Sequence, residues 1–335
     1  MTGVDLTYHK YPYRLLFQGA YETVPVHRRI FVLAKDLIRR RSDIVVLPSY
    51  HRVEYWVMLL ICMLLRRKRA VICDTVDPSN GSHPKLREIA KGIFFRRCNG
   101  YFCYGIRSKQ YLLRYGVDEL KIKYRRQAAA LPHDYSAELI REYYQRHPSY
   151  HAASPKYVYI GRFSEEKGLI DLLEAFSEIQ RKSPGATLSL VGSGPMQQAL
   201  AERVRALGLD SAVTLAGALA LEQIAPLLME GTALVLPSHW EPWGLVVNEA
   251  LSYGCPVVVS SVCGCVPELV REGVTGYSFE VGNVKALTEA MLSVARLSAE
   301  RQSVASACLN AISTYTPKHA AAQMLDGCME LLGTA

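Results

Sequence analysis

Short, near-continuously apolar runs recur along the chain, separated by longer stretches whose apolar residues fall three and four apart. The first half holds "DIVVLPS" (43–49), "AVICD" (70–74) and "GYFCYG" (100–105); the second holds "YVYIGR" (157–162), "TLSLVG" (187–192), "ALVLPS" (233–238) and "PVVVSS" (256–261). Runs of this length without alternation predict strands covered on both faces, as in a parallel sheet. Between them, Leu169, Leu172, Leu173, Phe176 and Ile179 make one helical stripe, and residues 284–297 do likewise. Residues 245–254 predict a helix of about three turns, stopped at Gly254 and Pro256. Strand–helix alternation throughout predicts an α/β fold with doubly wound sheets. The most apolar stretch, residues 53–65, includes a Glu and is shorter than the roughly 20 residues a spanning helix needs. It predicts a buried helix, with a membrane-surface role beside the run Arg66–Arg69 as the alternative.

Length and charge refine this picture. A chain of 335 residues with 50% hydrophobic and 21% charged residues fits two globular domains. The polar stretch 126–156 marks the boundary. The predicted division is an N-terminal domain over 1–145, a C-terminal domain over 156–312 and a final helix over 313–335 that packs back toward the N-terminal domain. Residues 1–150 carry 27 Lys and Arg against 13 Asp and Glu, a net +14, whereas residues 151–335 carry 12 against 18, a net −6. A basic N-terminal half fits either an anionic partner or a solvated basic face. The runs Arg39–Arg41 and Arg66–Arg69 each suit a helix end, where cations favour the dipole. The nine Cys include no C-x-x-C pair, and several sit in apolar runs as small hydrophobes, which fits a reducing cytoplasm and no metal site.

In doubly wound sheets ligands bind beyond the C-terminal strand ends. There the sequence places "RFSEEKG", with Arg162 and Lys167 suited to a diphosphate and a salt-bridged turn as the bland alternative. It places "GSGP" with Gly192 and Gly194, which lacks the third glycine of a dinucleotide fingerprint. It places the loop "HWEPWG" before the helix starting near Gly244 and Leu245, with Glu241 on the loop and Glu249 inside the helix. Gly264 follows the last strand. Trp240 and Trp243 fit either a sugar pocket or packing.

"GRFSEEKG", "LVGSGP" and "EPWGLVVNEALSYGCPVVVSSVCGCVPELV" with "GVTGYSFEVGN" together resemble the C-terminal domain of glycosyltransferase family 4, retaining enzymes of the GT-B fold, over about 156–297. The family's E-x7-E is Glu241 and Glu249 here. The resemblance implies two Rossmann-like domains facing across a cleft. It implies Arg162 and Lys167 on the donor diphosphate, Glu249 on the ribose hydroxyls and Glu241 on the donor sugar. It further implies backbone contacts at Gly244 and Leu245, and a nucleotide pocket shaped by Gly161, Gly192, Gly194 and Gly264. No D-x-D occurs in the chain, which argues against a metal-clamped diphosphate and for the Arg–Lys pair in its place; the resemblance further implies a transfer with no cofactor and no protein nucleophile. An acceptor-orienting group is expected from the N-terminal domain, Asp74 first, with Asp77 and His83 behind it; a turn carboxylate is the alternative for Asp74.

The opening residues look like the second strand of the family's first domain, so that domain is expected to lack its first strand–helix unit. The resulting expectation is a cytoplasmic hexosyl transferase acting in surface polysaccharide or lipopolysaccharide synthesis. Its partners would be a nucleotide sugar, a glycan or lipid-linked acceptor and the anionic inner face of the membrane, with no nucleic acid. A non-catalytic nucleotide-sugar-binding protein is the main alternative, and a nucleotide-sugar epimerase a lesser one.

Overall fold

A computed structural model describes residues 13–17, 21–76, 85–147 and 154–333. Its elements, in order, are α1 (Val26–Arg39), β1 (Ile44–Leu47), α2 (Val53–Leu64), β2 (Lys68–Cys73), α3 (Lys85–Arg96), β3 (Gly100–Cys103), α4 (Ile106–Arg114), β4 (Ile122–Tyr124) and α5 (Ala137–Arg146). The second half continues with β5 (Lys156–Ile160), α6 (Leu169–Lys182), β6 (Thr187–Val191), α7 (Gln197–Ala206), β7 (Val213–Gly217), α8 (Leu221–Glu230), β8 (Ala233–Leu236) and α9 (Leu245–Ser252). It closes with β9 (Val257–Ser260), α10 (Val266–Leu269), β10 (Gly276–Phe279), α11 (Val284–Leu297), α12 (Arg301–Ile312) and α13 (Pro317–Leu332).

The strands form two parallel sheets, β1-β2-β3-β4 and β10-β9-β8-β5-β6-β7. All seven predicted strands are present. The weaker β4, β7 and β10 escaped the sequence pattern because they are edge strands with one or both faces partly exposed. In the larger sheet every residue of β8 and β9 is buried, which is why those segments are apolar without alternation. Each sheet carries its own core, one around Leu47, Val71, Phe94 and Leu112, the other around Tyr157, Phe176, Leu236 and Val258.

Four expectations change. First, α5, assigned on sequence to the N-terminal domain, buries Ile140 and Tyr144 in the C-terminal core, and the Tyr144 hydroxyl donates to the Tyr253 carbonyl at 2.9 Å. Second, α2 is buried on one face only: Leu59 and Cys62 are covered while Val53, Leu60 and Leu64 are exposed. Its Glu54 is 2% exposed and pairs with Arg29 at 3.2 Å, which explains a carboxylate inside an apolar run. Third, the run Arg66–Arg69 makes a turn, with Arg66 at φ 53°, and then enters β2. Fourth, no strand forms over residues 13–17; residues 1–12, which the rest of that expectation covers, lie outside the described residues.

The two domains touch through specific groups. Helix α13 lies on the N-terminal sheet, with Leu331 against Gly100 and Gly327 against Phe102, and the Gln323 side chain accepts from the Arg126 backbone at 2.9 Å. At the start of α4, the backbone N–H of Ile106 donates to Glu268 Oε1 of α10 at 2.5 Å, so one domain caps a helix of the other. Arg107 donates to the Ser261 carbonyl beside it. No described helix is long and apolar enough to cross a membrane.

Candidate functional site

In the larger sheet, β5 lies between β6 and β8, so the chain order reverses there. The crevice beyond the strand ends at such a reversal is where open α/β sheets bind ligands. The loops after β5 and β8 meet in that crevice and enclose a cavity of about 360 Å³ lined by Gly161, Arg162, Lys167, Glu241, Gly244 and Leu245 with Trp240 and Pro242. Seven of the residues named from sequence, Trp240 among them, are thus brought together. Lys167 Nζ lies 2.6 Å from Glu241 Oε2, and both side chains are more than four-fifths buried. Arg162, largely exposed, pairs with Glu166 at 2.8 Å. Glu166 also accepts from Ser164, and these two bonds hold its carboxyl down to about 2. The salt-bridged turn and the cationic cavity wall are therefore one structure.

The remaining glycines act one layer back. A Cβ at Gly192 would strike the Gly161 carbonyl, one at Gly194 the backbone of Phe163, and one at Gly264 the Pro242 carbonyl. Their need for glycine comes from the chain's own close-packed loops. None of the three is among the residues lining the cavity. Glu249 sits on α9 beyond that lining, without a side-chain hydrogen-bond partner among the described residues, and burial raises its carboxyl to about 7. Gly244, at φ 96°, lets the chain turn into α9. Trp243 is 4% exposed, donates to Asn248 Oδ1 at 2.8 Å and stacks on Tyr315, so it packs; Trp240 faces the cavity. His239 is bound to Asp171 at 2.7 Å.

Asp74 lies elsewhere, at the end of β2, in a second cavity of about 530 Å³. Its walls are Ser49 and His51 after β1, Asp74 and Thr75 after β2, Arg87 and Lys91 of α3, and Tyr111 of α4. Trp240 and Pro242 from the other domain close it, so the same two residues wall both cavities. Asp77 and His83 lie outside the described residues. Sequence reading missed His51, whose Nδ1 is 2.6 Å from Ser49 Oγ. The signal was present, because His51 stands just past a strand end. Arg87 and Lys91 carried no such signal. They reach the cavity from within a helix, and only the fold shows which face that is.

The described residues include no cluster of His, Cys, Asp and Glu able to hold a metal ion. Eight of the nine cysteines are buried, and burial raises the thiols of Cys73, Cys98 and Cys255 to about 12. They are core residues.

Two parallel-sheet domains facing across such a cleft define the GT-B fold. The chain superimposes on Anabaena HepE, solved with UDP and glucose, at a TM-score of 0.69 and 19% identity over 91% of this chain and 81% of that one. It superimposes on the lipopolysaccharide outer core galactosyltransferase WaaB at 0.70 and 16% over 91% and 80%. Residues 145–307 match the family described as glycosyl transferases group 1. The chain is 38% identical over 137 residues to glycogen synthase of Mycobacterium tuberculosis, covering 41% of this chain and 33% of that protein. It is 34% identical over 122 residues to the alpha-D-kanosaminyltransferase of Streptomyces kanamyceticus, covering 36% and 31%. The chain spans about a third of the length of these curated relatives.

Proposed function

We propose that this chain is a retaining, metal-independent hexosyltransferase of glycosyltransferase family 4. It would move a sugar from a nucleotide-diphosphate sugar to a glycan or lipid-linked acceptor in surface-polysaccharide synthesis, at the inner face of the cytoplasmic membrane. The observation that carries this reading is the switch-point cavity, where Arg162 and Lys167 converge with Glu241 at the start of α9.

In this reading the donor's diphosphate lies against Arg162 and Lys167 and the backbone of Gly244 and Leu245. The charge that grows as the phosphate–sugar bond breaks meets cations already in place, so little reorganisation is needed. Glu241, held by Lys167, accepts from hydroxyls of the sugar. Glu249 accepts from the ribose. The acceptor enters the second cavity, with Asp74 and His51 orienting its hydroxyl. That oxygen bonds to the sugar carbon as the phosphate oxygen leaves, and the hydroxyl proton passes to the departing phosphate. Glu241 and Glu249 hold one donor and do not act as a hydrolytic pair.

Support comes from the group 1 match, from the fold and from UDP in a structural neighbour. The test is nucleotide release and product formation across a panel of nucleotide sugars with extracted lipid and glycan acceptors. Donor-dependent transfer lost in Lys167→Met supports the reading. A folded protein that binds UDP yet neither transfers nor hydrolyses any donor overturns it.

A further inference from the structure

The chain's three tryptophans differ in what their indoles meet. Trp56 donates its N–H to the Tyr50 carbonyl at 2.9 Å, and its ring stands edge-on to Phe94 with centroids 5.0 Å apart. Trp243 donates to Asn248 and stacks on Tyr315. Trp240 has neither kind of partner among the described residues: its N–H makes no hydrogen bond, and its ring has no aromatic or cationic neighbour. It is 42% exposed. A lone exposed apolar residue is ordinary on a protein surface. Trp240 does not stand on open surface, because with Pro242 it walls both cavities of the cleft.

The loop that carries it is held on both sides. The His239 N–H donates to the Glu166 carbonyl at 2.8 Å, and the His239 ring is bound to Asp171 at 2.7 Å. The Glu241 carbonyl accepts from Gly264 at 3.0 Å, and its carboxylate accepts from Lys167 at 2.6 Å. Pro242 follows with its fixed φ and abuts Gly264. The backbone on either side of Trp240 is thus in place before any ligand arrives, so a partner for the indole is met with little further ordering.

The larger cavity is two-sided. The N-terminal domain lines it with polar groups, among them Ser49, His51, Asp74 and Thr75, whereas the C-terminal domain contributes Trp240 and Pro242, both apolar. A ligand that fits both walls has hydroxyls on one side and a flat apolar face on the other. A pyranose ring has that form, with C–H bonds on its face and hydroxyls around its rim. Its C–H face would cover the exposed indole, and one ring oxygen or hydroxyl would accept from the free N–H. An acyclic polyol offers the hydroxyls without the face. Resting on the glycosyltransferase reading above, we propose that the acceptor is a glycan whose accepting pyranose stacks on Trp240 in the larger cavity.

The test uses the full chain saturated with UDP. Calorimetry and tryptophan emission compare methyl α-glucopyranoside, methyl α-mannopyranoside and methyl β-galactopyranoside with the acyclic polyol sorbitol. We expect at least one pyranoside to bind better than sorbitol and to shift the emission. That binding should be about tenfold weaker in Trp240→Ala, and about threefold weaker in Trp240→Phe, which keeps a ring and lacks the N–H. Trp240 is exposed and without a partner among the described residues, so both variants keep the fold, as thermal melting checks. Asp74→Asn and Glu241→Gln locate the sugar. A loss in Asp74→Asn assigns it to the larger cavity, and a loss in Glu241→Gln alone places it in the smaller one and overturns the acceptor assignment. If UDP binds but no pyranoside binds better than sorbitol, or if Trp240→Ala changes nothing, the stacking fails and the transferase reading stands. If UDP itself does not bind, both fall together.

Discussion

On the C-terminal side of the cleft, Lys167 and Glu241 are 2.6 Å apart and mostly buried, and Arg162 is tied to Glu166. On the N-terminal side, Arg87 makes no ion pair among the described residues, and Asp74 and His51 stand at separate strand ends of a cavity half as large again. One side is built on loops locked by backbone contacts, such as Gly264 N–H to the Glu241 carbonyl at 3.0 Å and His239 N–H to the Glu166 carbonyl at 2.8 Å. The other is assembled from two strand ends and one helix face. Under the proposed transferase reading, the difference suits a site that meets one class of donor diphosphate opposite a site whose contents vary with the acceptor.

The largest expected effect breaks the locked side. Lys167→Met should reduce transfer by about 10²–10³-fold, because the cation acts where charge develops. It should also destabilise the protein by leaving Glu241 without its partner. The double variant Lys167→Met/Glu241→Gln should recover the melting temperature without recovering transfer. If it recovers both, the pair is structural only.

A second test uses Glu249, whose carboxyl burial raises from 4.5 to about 7. A raised carboxyl stabilises the fold below its unfolded value and loses that contribution as pH climbs through the folded one. Wild-type stability should therefore fall by about 3 kcal/mol from pH 4.5 to above 7, relative to Glu249→Gln, in urea titrations across that window. UDP affinity should move the opposite way, strengthening as Glu249 ionises. A wild type and Gln variant with parallel pH profiles would remove the ribose role.

Gly264→Ala drives a methyl into the Pro242 carbonyl and should cost about 2 kcal/mol by denaturant unfolding. The matching change at Gly116, where nothing lies within 4 Å of the added carbon, should cost less despite its φ of 71°. Glu268→Ala removes the cap that α10 places on α4 and should cost about 1 kcal/mol. Small-angle scattering should show that variant with a wider spread of domain orientations. The smallest effect is expected at the exposed pair Arg181–Glu178, where Glu178→Gln should change stability by no more than about 0.5 kcal/mol.

Much of the switch-point cavity was legible because its residues follow strands that are themselves unmistakable. Arg162 comes two residues after β5, and Glu241 five after β8. Such loops are short, so sequence distance is nearly spatial distance. Gly192, Gly194 and Gly264 were also visible, and the structure shows each abutting another loop's backbone. Sequence shows that a backbone position must be glycine without showing whether a ligand or another loop occupies the space.

Local sequence alone determined the α/β alternation, the buried strands and the cationic strand end, because each depends on residues within one or two turns of one another. Only the tertiary structure decided that Trp240 walls both cavities and that α5 joins the second core. The same holds for Glu268 capping a helix 162 positions away and for Lys91 meeting three tyrosines. Those contacts join residues far apart in the chain. They arise from how two sheets and their helices close on each other, which no local pattern of polar and apolar positions encodes.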